Sequence, residues 1–505
     1  MYQIISRFLL IILICVLISC KSGTNSDQQS LIDTIYIDTI ELVKEDYFII
    51  NPTFLGCEER NYYGNEAPDT LGIIWKTYLG KGETVVSKSK GRKEWAGAGW
   101  TGQPLLVMEK DTLYIIQGAF DHRLKKLKAE TGEIIWQYQF DDVIKGTGTI
   151  WYDRNAEDSL NQLVILQGSR YGSENRFHDK IIPSFRAISY LTGKDLWRLN
   201  VWETRSYSRD VDASALIIND TAYIGLENAY FIVFNPDKDS AAKKDGILQP
   251  QIYQKYKLWY DKDVRMHGGN LVTEASPCLL GNRIYIASGS GHVWGYNMEK
   301  DTIDWDFLIG SDIDGSPVVT HDSCLLISVE KQYIKGKGGI YKLNPANHPD
   351  SAVVWFFPTG NKNYAGWLGG VIGTACVNDK YVNDTSLHLA AFCAMDGNLY
   401  VIMHDSLDQG KKVLSHDNKK YYPTPKLVYK KYILPSIATP IIVGNKIVAP
   451  GYGGLHLFTF NDSLQFTFHG KIPGSFEATP VVHDGKIYVA SRGGYLYCLG
   501  RKNQE

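Results

Sequence analysis

Runs of β-branched and aromatic residues recur at short intervals along this chain, and residues that favour tight turns separate them. Three such runs lie close together near the C-terminus, at 478–482, 486–490 and 495–499. Asp484-Gly485 and Gly493-Gly494 separate these runs, and both dipeptides favour the two-residue turns of β-hairpins. The pattern therefore predicts three consecutive antiparallel strands in this part of the chain.

The earlier repeats contain a fourth run that the last repeat lacks. This run follows a Thr-Gly turn and carries a tryptophan, as at Trp136 and Trp197. A comparable run at 72–79, which includes Trp75, lies before the first full repeat. A closed ring of repeats can take the missing strand of its last unit from the beginning of the array. We therefore expect 72–79 to complete the repeat that ends near Gly500.

Two signatures allow the repeats to be counted. Eight positions carry the aromatic residue of the fourth run: Trp75, Trp136, Trp197, Trp259, Trp305, Trp355, Tyr429 and Phe466. A small residue, then Ser or Thr, and often Pro, opens the first run of many repeats. Four-stranded units that recur about every 40 to 60 residues are typical of a β-propeller. We therefore predict an all-β fold, an eight-bladed β-propeller of four-stranded antiparallel blades whose last blade is closed by an N-terminal strand.

These signatures resemble the repeat of the pyrroloquinoline quinone (PQQ)-like, or quinoprotein alcohol dehydrogenase-like, β-propeller family. The resemblance rests on the Thr-Gly turn, the small-residue-Pro opening and the Asp-Gly or Gly-Gly hairpins, and it covers about residues 51 to 500. The WD40 type of repeat fits less well because regular Gly-His and Trp-Asp dipeptides are absent. The resemblance implies an eight-bladed ring, which agrees with the count of repeats.

The N-terminus has the proportions of a bacterial signal peptide. Arg7 precedes an apolar run at 8–18, which is short for a membrane-spanning helix. The sequence that ends at Cys20 resembles a lipobox, which implies cleavage before Cys20 and attachment of lipid to it. We therefore predict a lipoprotein signal peptide at 1–19, a lipid-anchored tether at 20–45 and a single PQQ-like propeller domain at 46–505. An uncleaved anchor is the alternative.

Lys21 would be the second residue of the mature lipoprotein. The resemblance to lipoproteins of Gram-negative bacteria implies that a residue other than Asp at this position directs transport to the outer membrane. We therefore expect a lipid-anchored protein of the outer membrane that faces either the periplasm or the cell surface.

Charge and motifs exclude several classes of function. The 505 residues carry a net charge of −2, so no global field favours nucleic acid. The His-Glu-x-x-His, P-loop and Gly-x-Ser-x-Gly motifs are absent. Cys376 and Cys393 fall on neighbouring predicted strands, where they could form either a disulfide or two buried thiols. We therefore predict no catalytic residues, no resident metal and no cofactor.

Four acidic residues directly precede the small-residue signature: Asp212, Glu274, Asp314 and Glu477. Because the innermost strand of each blade borders the central channel, we expect these carboxylates at the channel mouth. There they would form a negative funnel that could bind a cation or a basic side chain. The alternative is that each carboxylate accepts hydrogen bonds from backbone amides of a nearby turn.

The family resemblance also implies an enzymatic alternative, a dehydrogenase that uses PQQ and Ca²⁺. Such enzymes hold the quinone flat against a tryptophan, for which Trp367 and Trp294 are the candidates. Glu274 and Asn270 would then be calcium ligands, and Asp314 would be the catalytic base. The adjacent cysteine pair of those enzymes and the Cys-x-x-Cys-His haem motif are both absent from this sequence.

Together these features predict a non-catalytic envelope lipoprotein whose propeller is a protein-binding scaffold in outer-membrane assembly or maintenance. The anchor and the repeat type resemble the propeller lipoproteins of the outer-membrane β-barrel assembly machinery. This resemblance implies envelope proteins as partners, with the chain as a monomer or as a subunit of a complex. The alternatives are a PQQ- and Ca²⁺-dependent oxidoreductase and a surface module that binds a glycan or another ligand through the insertions at 168–180, 237–254 and 404–426.

Overall fold

The computed structural model describes residues 47–87, 90–383 and 386–501. The predicted signal peptide at 1–19, the lipid attachment site at Cys20 and the predicted tether at 20–45 lie outside these residues. In the part of the chain that the structure describes, no helix is both long enough and apolar enough to cross a membrane.

The described residues form a ring of eight antiparallel sheets, which confirms the predicted eight-bladed β-propeller. We number the blades in chain order and give the four strands of each from the channel outwards. Blade 1 contains Leu105–Glu109, Thr112–Gly118, Arg123–Lys128 and Ile134–Gln139, and blade 2 contains Thr149–Tyr152, Leu163–Gly168, Phe185–Ser189 and Asp195–Leu199. Blade 3 contains Leu216–Ile218, Thr221–Leu226, Tyr230–Phe234 and Ile252–Lys257, and blade 4 contains Cys278–Leu280, Arg283–Ala287, His292–Asn297 and Thr302–Leu308. Blade 5 contains Val318–Val319, Leu325–Val329, Gly339–Leu343 and Val353–Pro358, and blade 6 contains Cys376–Val377, Leu389–Cys393, Asn398–Leu414 and Tyr421–Tyr432. Blade 7 contains Ile441–Val443, Lys446–Gly451, Gly454–Phe460 and Phe466–Ile472, and blade 8 contains Val481–His483, Lys486–Ala490, Tyr495–Gly500 and Gly72–Tyr78.

The remaining described elements are short. Tyr47–Asn51 adds a fifth strand along the inner edge of blade 1. The hairpins outside the blades pair Lys81–Ser87 with Gly91–Ala96, Ala242–Lys244 with Ile247–Gln249, and Asn361–Tyr364 with Trp367–Gly369. The helical segments are the α-helix Asp261–His267 and the 3-10 turns Ser159–Asn161, Pro349–Ser351 and Asp379–Tyr381.

Blade 8 is built from the two ends of the propeller, as the divided repeat predicts. Gly72–Tyr78 pairs antiparallel with Tyr495–Gly500, with Trp75 opposite Cys498 and Tyr78 opposite Tyr495. The outer strand of the last blade therefore comes from the N-terminal side of the ring. This pairing closes the ring, so the sheets of blades 1 and 8 do not become the exposed ends of an open array.

In five of the eight blades, a tryptophan of the outer strand packs against the next blade. Their indole N–H groups donate to backbone carbonyls of the following blade in five pairs: Trp75 to Ala129 (3.0 Å), Trp136 to Tyr190 (3.0 Å), Trp197 to Pro236 (2.7 Å), Trp305 to Asn347 (3.1 Å) and Trp355 to His404 (2.9 Å). Gly132 and Gly193 of the Thr-Gly turns lie against these rings, and a Cβ at either position would approach the indole carbons to 2.7–2.8 Å. The Thr-Gly and Trp signatures therefore belong to one interface.

One counted aromatic residue lies outside its expected strand. Trp259 follows the outer strand of blade 3, which ends at Lys257, and Gln254 occupies the register position that tryptophan has in blade 1. Trp259 instead packs on Leu271 and Tyr230. The outer strands of blades 1 and 3 carry the same β-bulge, so the position of Trp259 reflects a longer path of the chain after the strand, which spacing alone does not reveal.

A belt of hydroxyl groups joins the inner strands. The backbone N–H of one blade donates to the Ser or Thr hydroxyl of the next blade in five places: Gln103 to Thr147 (2.7 Å), Ser214 to Ser276 (2.9 Å), Ser276 to Ser316 (2.9 Å), Ser316 to Thr374 (3.0 Å) and Thr374 to Thr439 (3.0 Å). These are the hydroxyl residues of the small-residue signature. The neighbouring small side chain allows the close approach that these hydrogen bonds require.

A plug, which we define as residues 52–64, contacts the inner strands from inside the ring. Backbone carbonyls of the plug accept hydrogen bonds from inner-strand amides of four blades: Pro52 from Ile150, Glu58 from Leu279, Glu59 from Val319 and Tyr63 from Val482. The Tyr63 hydroxyl accepts from the backbone N–H of Val377 in blade 6 (2.9 Å). One segment of chain thus bonds to blades on all sides of the channel.

Arg60 is the polar centre of the plug and is completely buried. Its guanidinium donates to the carbonyls of Pro277 (2.8 Å), Phe54 (2.7 Å) and Ser214 (3.3 Å) and to the Thr53 hydroxyl (2.8 Å). Burial lowers the pKa of Arg60 to about 10, which still leaves it charged at neutral pH. The plug and two blades therefore share one buried cation that is solvated by backbone carbonyls.

The possible disulfide between Cys376 and Cys393 is not formed. Cys376 lies opposite Ala391 in the ladder, so Cys393 is two positions further along its strand. The six cysteines that the structure describes are all free thiols.

We predict that Arg60→Met destabilises the propeller by about 3 kcal/mol. The substitution leaves buried carbonyls without donors, and the loss of one partner from a buried polar network has a cost of this order. Thermal unfolding of the full chain measures the effect. Arg123→Met, at a partly exposed arginine, is the control and should change stability by less than about 0.5 kcal/mol. Equal shifts of the two variants would contradict the role given to the plug.

Candidate functional site

The channel mouth is lined by the residues two positions before the hydroxyl belt. In blades 1 to 8 these are Thr101, Lys145, Asp212, Glu274, Asp314, Ile372, Ile437 and Glu477. The inner strands begin at this mouth and run towards the plug. The ring is therefore charged on the side of blades 2 to 5 and apolar in blades 6 and 7.

The first acidic group contains Asp212, Glu227 and Glu274, whose carboxylate oxygens lie within 4.8 Å of one another. The ammonium group of Lys145 forms an ion pair with Asp212 and lies 3.7 Å from a carboxylate oxygen of Glu274. Glu227 accepts a hydrogen bond from the Ser208 hydroxyl (2.7 Å). The chain thus supplies its own cation to this group.

The second acidic group contains Asp312, Asp314 and Glu330, again with oxygens within 4.8 Å of one another. The side-chain amide of Asn270 donates to Asp312 (2.6 Å). Glu330 lies at the end of the second strand of blade 5, beside the hairpin Asn361–Tyr364 and Trp367–Gly369.

Burial and mutual repulsion keep protons on both groups. Burial raises the pKa of Asp212 to about 7, against the opposing effect of Lys145. Burial together with the charges of Asp312 and Glu274 raises the pKa of Glu330 to about 8. The pKa of Asp314 is raised well above its ordinary value, again chiefly by burial and next by the charge of Asp312. At neutral pH the mouth is therefore a proton-sharing cluster and not a fully ionised ring.

The structure brings together three of the four predicted carboxylates and places the fourth elsewhere. Glu477 accepts hydrogen bonds from Arg492 (3.0 Å) and from the Tyr452 hydroxyl (3.0 Å). Its partners belong to blades 7 and 8, on the other side of the mouth from Asp314. Arg492 also lies over the Trp95 ring.

Sequence reasoning missed the residues that determine the charge of the site. Lys145 precedes Gly146-Thr147, a small-hydroxyl pair without the proline, so the incomplete signature concealed it. Glu227 and Glu330 come from the second strands of their blades, and no pattern in the sequence links them to the inner strands. Only the fold shows that these side chains meet.

The structure places both tryptophans of the quinone alternative in packed surroundings. Trp294 is buried, and His292 stacks on its ring with centroids 4.6 Å apart, so it presents no open face to the channel. Trp367 packs in an apolar cluster with Trp100, Met395 and Ile437. The Lys145 ammonium lies 3.7 Å from a carboxylate oxygen of Glu274, the residue expected to ligate calcium in the quinone alternative.

Exposed apolar side chains surround the acidic side of the mouth. We define this rim as Tyr207, Met266, Tyr333 and Leu368, which are 59%, 54%, 45% and 47% exposed. The Tyr333 ring stacks on His267 at 4.3 Å, and its hydroxyl lies 3.3 Å from the amide of Asn270. The Tyr207 amide donates to the Gly269 carbonyl (3.0 Å). The rim is therefore anchored to the same loop that supplies Asn270.

We predict that Glu330→Gln makes the protein more stable at pH 8 but not at pH 5. Because the folded-state pKa of Glu330 lies above its unfolded value, the native state holds a proton that the unfolded chain releases, and stability falls as pH rises from about 4 to 8. Removing this carboxyl group should raise the free energy of unfolding by on the order of 2 kcal/mol at pH 8. Thermal unfolding at both pH values tests this, with the exposed Glu94→Gln as control. A pH-independent difference from wild type would contradict it.

Comparison with known proteins places the chain among PQQ-like propellers. Residues 72–355 match the sequence profile of the family described as outer membrane protein assembly factor BamB. The dehydrogenase subunit of the quinone-dependent alcohol dehydrogenase of Acetobacter aceti is 25% identical over 223 residues. That match covers 37% of this chain and 28% of the relative, so the chain spans well under two thirds of the relative's length.

Two solved structures are similar to this chain. The quinohemoprotein alcohol dehydrogenase of Comamonas testosteroni is 12% identical with a TM-score of 0.55, over 90% of this chain and 81% of that one. BamB of Moraxella catarrhalis is 13% identical with a TM-score of 0.49, over 86% of this chain and 99% of that one. Because the family profile spans more than half of the sequence, this protein belongs to the family described as outer membrane protein assembly factor BamB.

Proposed function

We propose that this protein is a non-catalytic scaffold of the bacterial envelope whose channel mouth binds a protein partner. The observation that carries the proposal is the rim, where tyrosine, methionine and leucine side chains are exposed around a buried acidic cluster. Tyrosine and methionine are enriched at protein interfaces, and they contribute much of the binding energy when a partner desolvates them.

The chemistry of the mouth favours a partner segment that carries apolar and basic side chains. The carboxyl groups at the mouth outnumber Lys145, so a lysine or arginine of the partner would find acceptors there. On the other side of the same ring, the partly buried Tyr364, Trp367 and Tyr452 pack against the buried cluster of Trp100 and Ile437. A partner that spans the mouth would therefore meet charge on one side and aromatic surface on the other.

The family and the N-terminal sequence support a location for this function. The family is named for outer membrane protein assembly, and the sequence that ends at Cys20 favours a lipid anchor. We therefore propose an outer-membrane lipoprotein that acts with envelope proteins, as a monomer or as a subunit of a complex.

The second candidate is a PQQ-dependent oxidoreductase, and the match to the Acetobacter aceti dehydrogenase subunit favours it. The internal ion pair of Lys145 with Asp212 and the covered face of Trp294 count against it. The glycan-binding alternative has weaker support because the insertion at 404–426 is largely a continuation of two blade-6 strands, and His416 in it contacts the Tyr341 hydroxyl of blade 5 (2.8 Å).

We predict that a photo-crosslinking amino acid at Tyr333 captures a defined envelope protein in the native host, whereas one at Tyr253 does not. Both tyrosines are exposed, but Tyr253 lies on the outer strand of blade 3, away from the rim. Introducing a charge by Met266→Asp should reduce the adduct at Tyr333 at least about tenfold, because a desolvated interface anchor contributes about 1.4 kcal/mol or more to binding, which is a tenfold change in affinity.

Ile135→Asp is the matched control, since Ile135 is similarly exposed but lies on the outer strand of blade 1. It should leave the adduct unchanged. Equal adducts at Tyr333 and Tyr253, or an adduct at Tyr333 that survives Met266→Asp, would contradict a partner site at the mouth.

A further inference from the structure

Three histidines meet between blades 5 and 6, at the end of the inner strands that lies away from the acidic mouth. His321 lies in the turn after the inner strand of blade 5, His388 precedes the second strand of blade 6, and His404 lies in its third strand. Each offers one ring nitrogen, and the three nitrogens lie within 4.8 Å of one another. Residues so far apart in sequence form a cluster only because the two blades pack together.

Asp379 orients this cluster. One of its carboxylate oxygens lies 2.8 Å from His388 Nδ1 and 2.9 Å from His404 Nε2. Its other oxygen accepts a hydrogen bond from the backbone N–H of His321 (2.9 Å). Histidines that bind metals commonly have a carboxylate that fixes the tautomer and the orientation of the ring.

His388 has one ring nitrogen that the protein leaves unsatisfied. The side chain is buried, and its Nε2 has no hydrogen-bond partner among the described residues. When Nδ1–H donates to Asp379, Nε2 carries a free lone pair. An unpaired buried acceptor has a cost in stability, and a bound metal ion would remove that cost.

The charges around the cluster favour a cation. Asp379 and Asp322 contribute two negative charges, and the buried Lys342 contributes one positive charge through its ion pair with Asp322 (2.7 Å). Lys342 also donates to the His404 carbonyl (3.0 Å) and lies 3.4 Å from His404 Nδ1, so a metal ion that binds this nitrogen must displace the ammonium from it. With neutral imidazoles the site has a net charge of −1.

His321 has the freedom to complete the site. Its ring now stacks on His388 with centroids 3.5 Å apart, and stacked imidazoles direct their lone pairs in parallel. A metal bound to both rings requires the His321 side chain to rotate. His321 is exposed, so its rotation displaces no buried neighbour.

We propose that His321, His388 and His404 bind a divalent transition-metal ion, with Zn²⁺ as the best fit, and that Asp379 holds the two buried imidazoles in position. Three nitrogen ligands suit zinc, copper and nickel better than Ca²⁺ or Mg²⁺, which prefer oxygen. The site is separate from the channel mouth and does not depend on the function proposed for it.

The test uses the purified full chain after removal of metal by a chelator, titrated with Co²⁺ and then with Zn²⁺. We expect one equivalent of Co²⁺ to give visible d–d absorption of nitrogen and oxygen coordination without a thiolate charge-transfer band, and one equivalent of Zn²⁺ to displace it. His321→Ala should weaken Zn²⁺ binding at least tenfold. Asp379→Asn should weaken it 10- to 100-fold, as the loss of an orienting carboxylate typically does.

His348→Ala is the matched control because His348 is an exposed histidine of the same blade as His321 and is not part of the cluster. It should bind Zn²⁺ as wild type does. The exposed His321 can be replaced without opening the core, so an unchanged melting temperature of metal-free His321→Ala shows that the variant folds. Failure of the wild type to bind one equivalent of metal, or wild-type affinity in folded His321→Ala, would overturn the proposal.

Discussion

Closure of the ring is the constraint on which the rest of this structure depends. A four-stranded blade leaves both faces exposed, so each blade is stable only between two neighbours. The pairing of Gly72–Tyr78 with Tyr495–Gly500 gives every blade two neighbours. The plug then bonds to the inner strands from within, and the buried Arg60 ties it to blades 3 and 4. The plug also determines the geometry of the mouth. It bonds to the inner strands, and the beginnings of these strands position Lys145, Asp212, Glu274 and Asp314.

Most of the fold could be predicted from the sequence because its two signatures are physical contacts between blades. The tryptophan of one blade and the Thr-Gly turn of the next form one interface, and the Ser or Thr of the small-residue signature forms the hydroxyl belt. Such contacts repeat, so they leave a periodic pattern. The plug occurs once and leaves none. Trp259 shows the limit, since its spacing fits the pattern and only the strand register excludes it.

The candidate site could be predicted only in part, for a related reason. Asp212, Glu274 and Asp314 share a repeat position, so the signature located them. Glu477 has the same position, yet Arg492 binds it, and nothing in the local sequence indicates that pairing. Glu227 and Glu330 reach the cluster from other strands. Lys145 changes the prediction most, because its ammonium already pairs with Asp212 in the cluster that was expected to form a negative funnel for a cation or a basic side chain.

The measurement that most directly tests this account is calorimetric titration of the purified full chain with PQQ in the presence of Ca²⁺, followed by an assay of dye reduction with a panel of alcohols. Because Lys145 already lies between Asp212 and Glu274, the account predicts no saturable binding of the quinone and no turnover. Saturable binding of one PQQ per chain with alcohol-dependent dye reduction, both abolished by Glu274→Gln in a folded variant, would contradict the scaffold and establish the oxidoreductase.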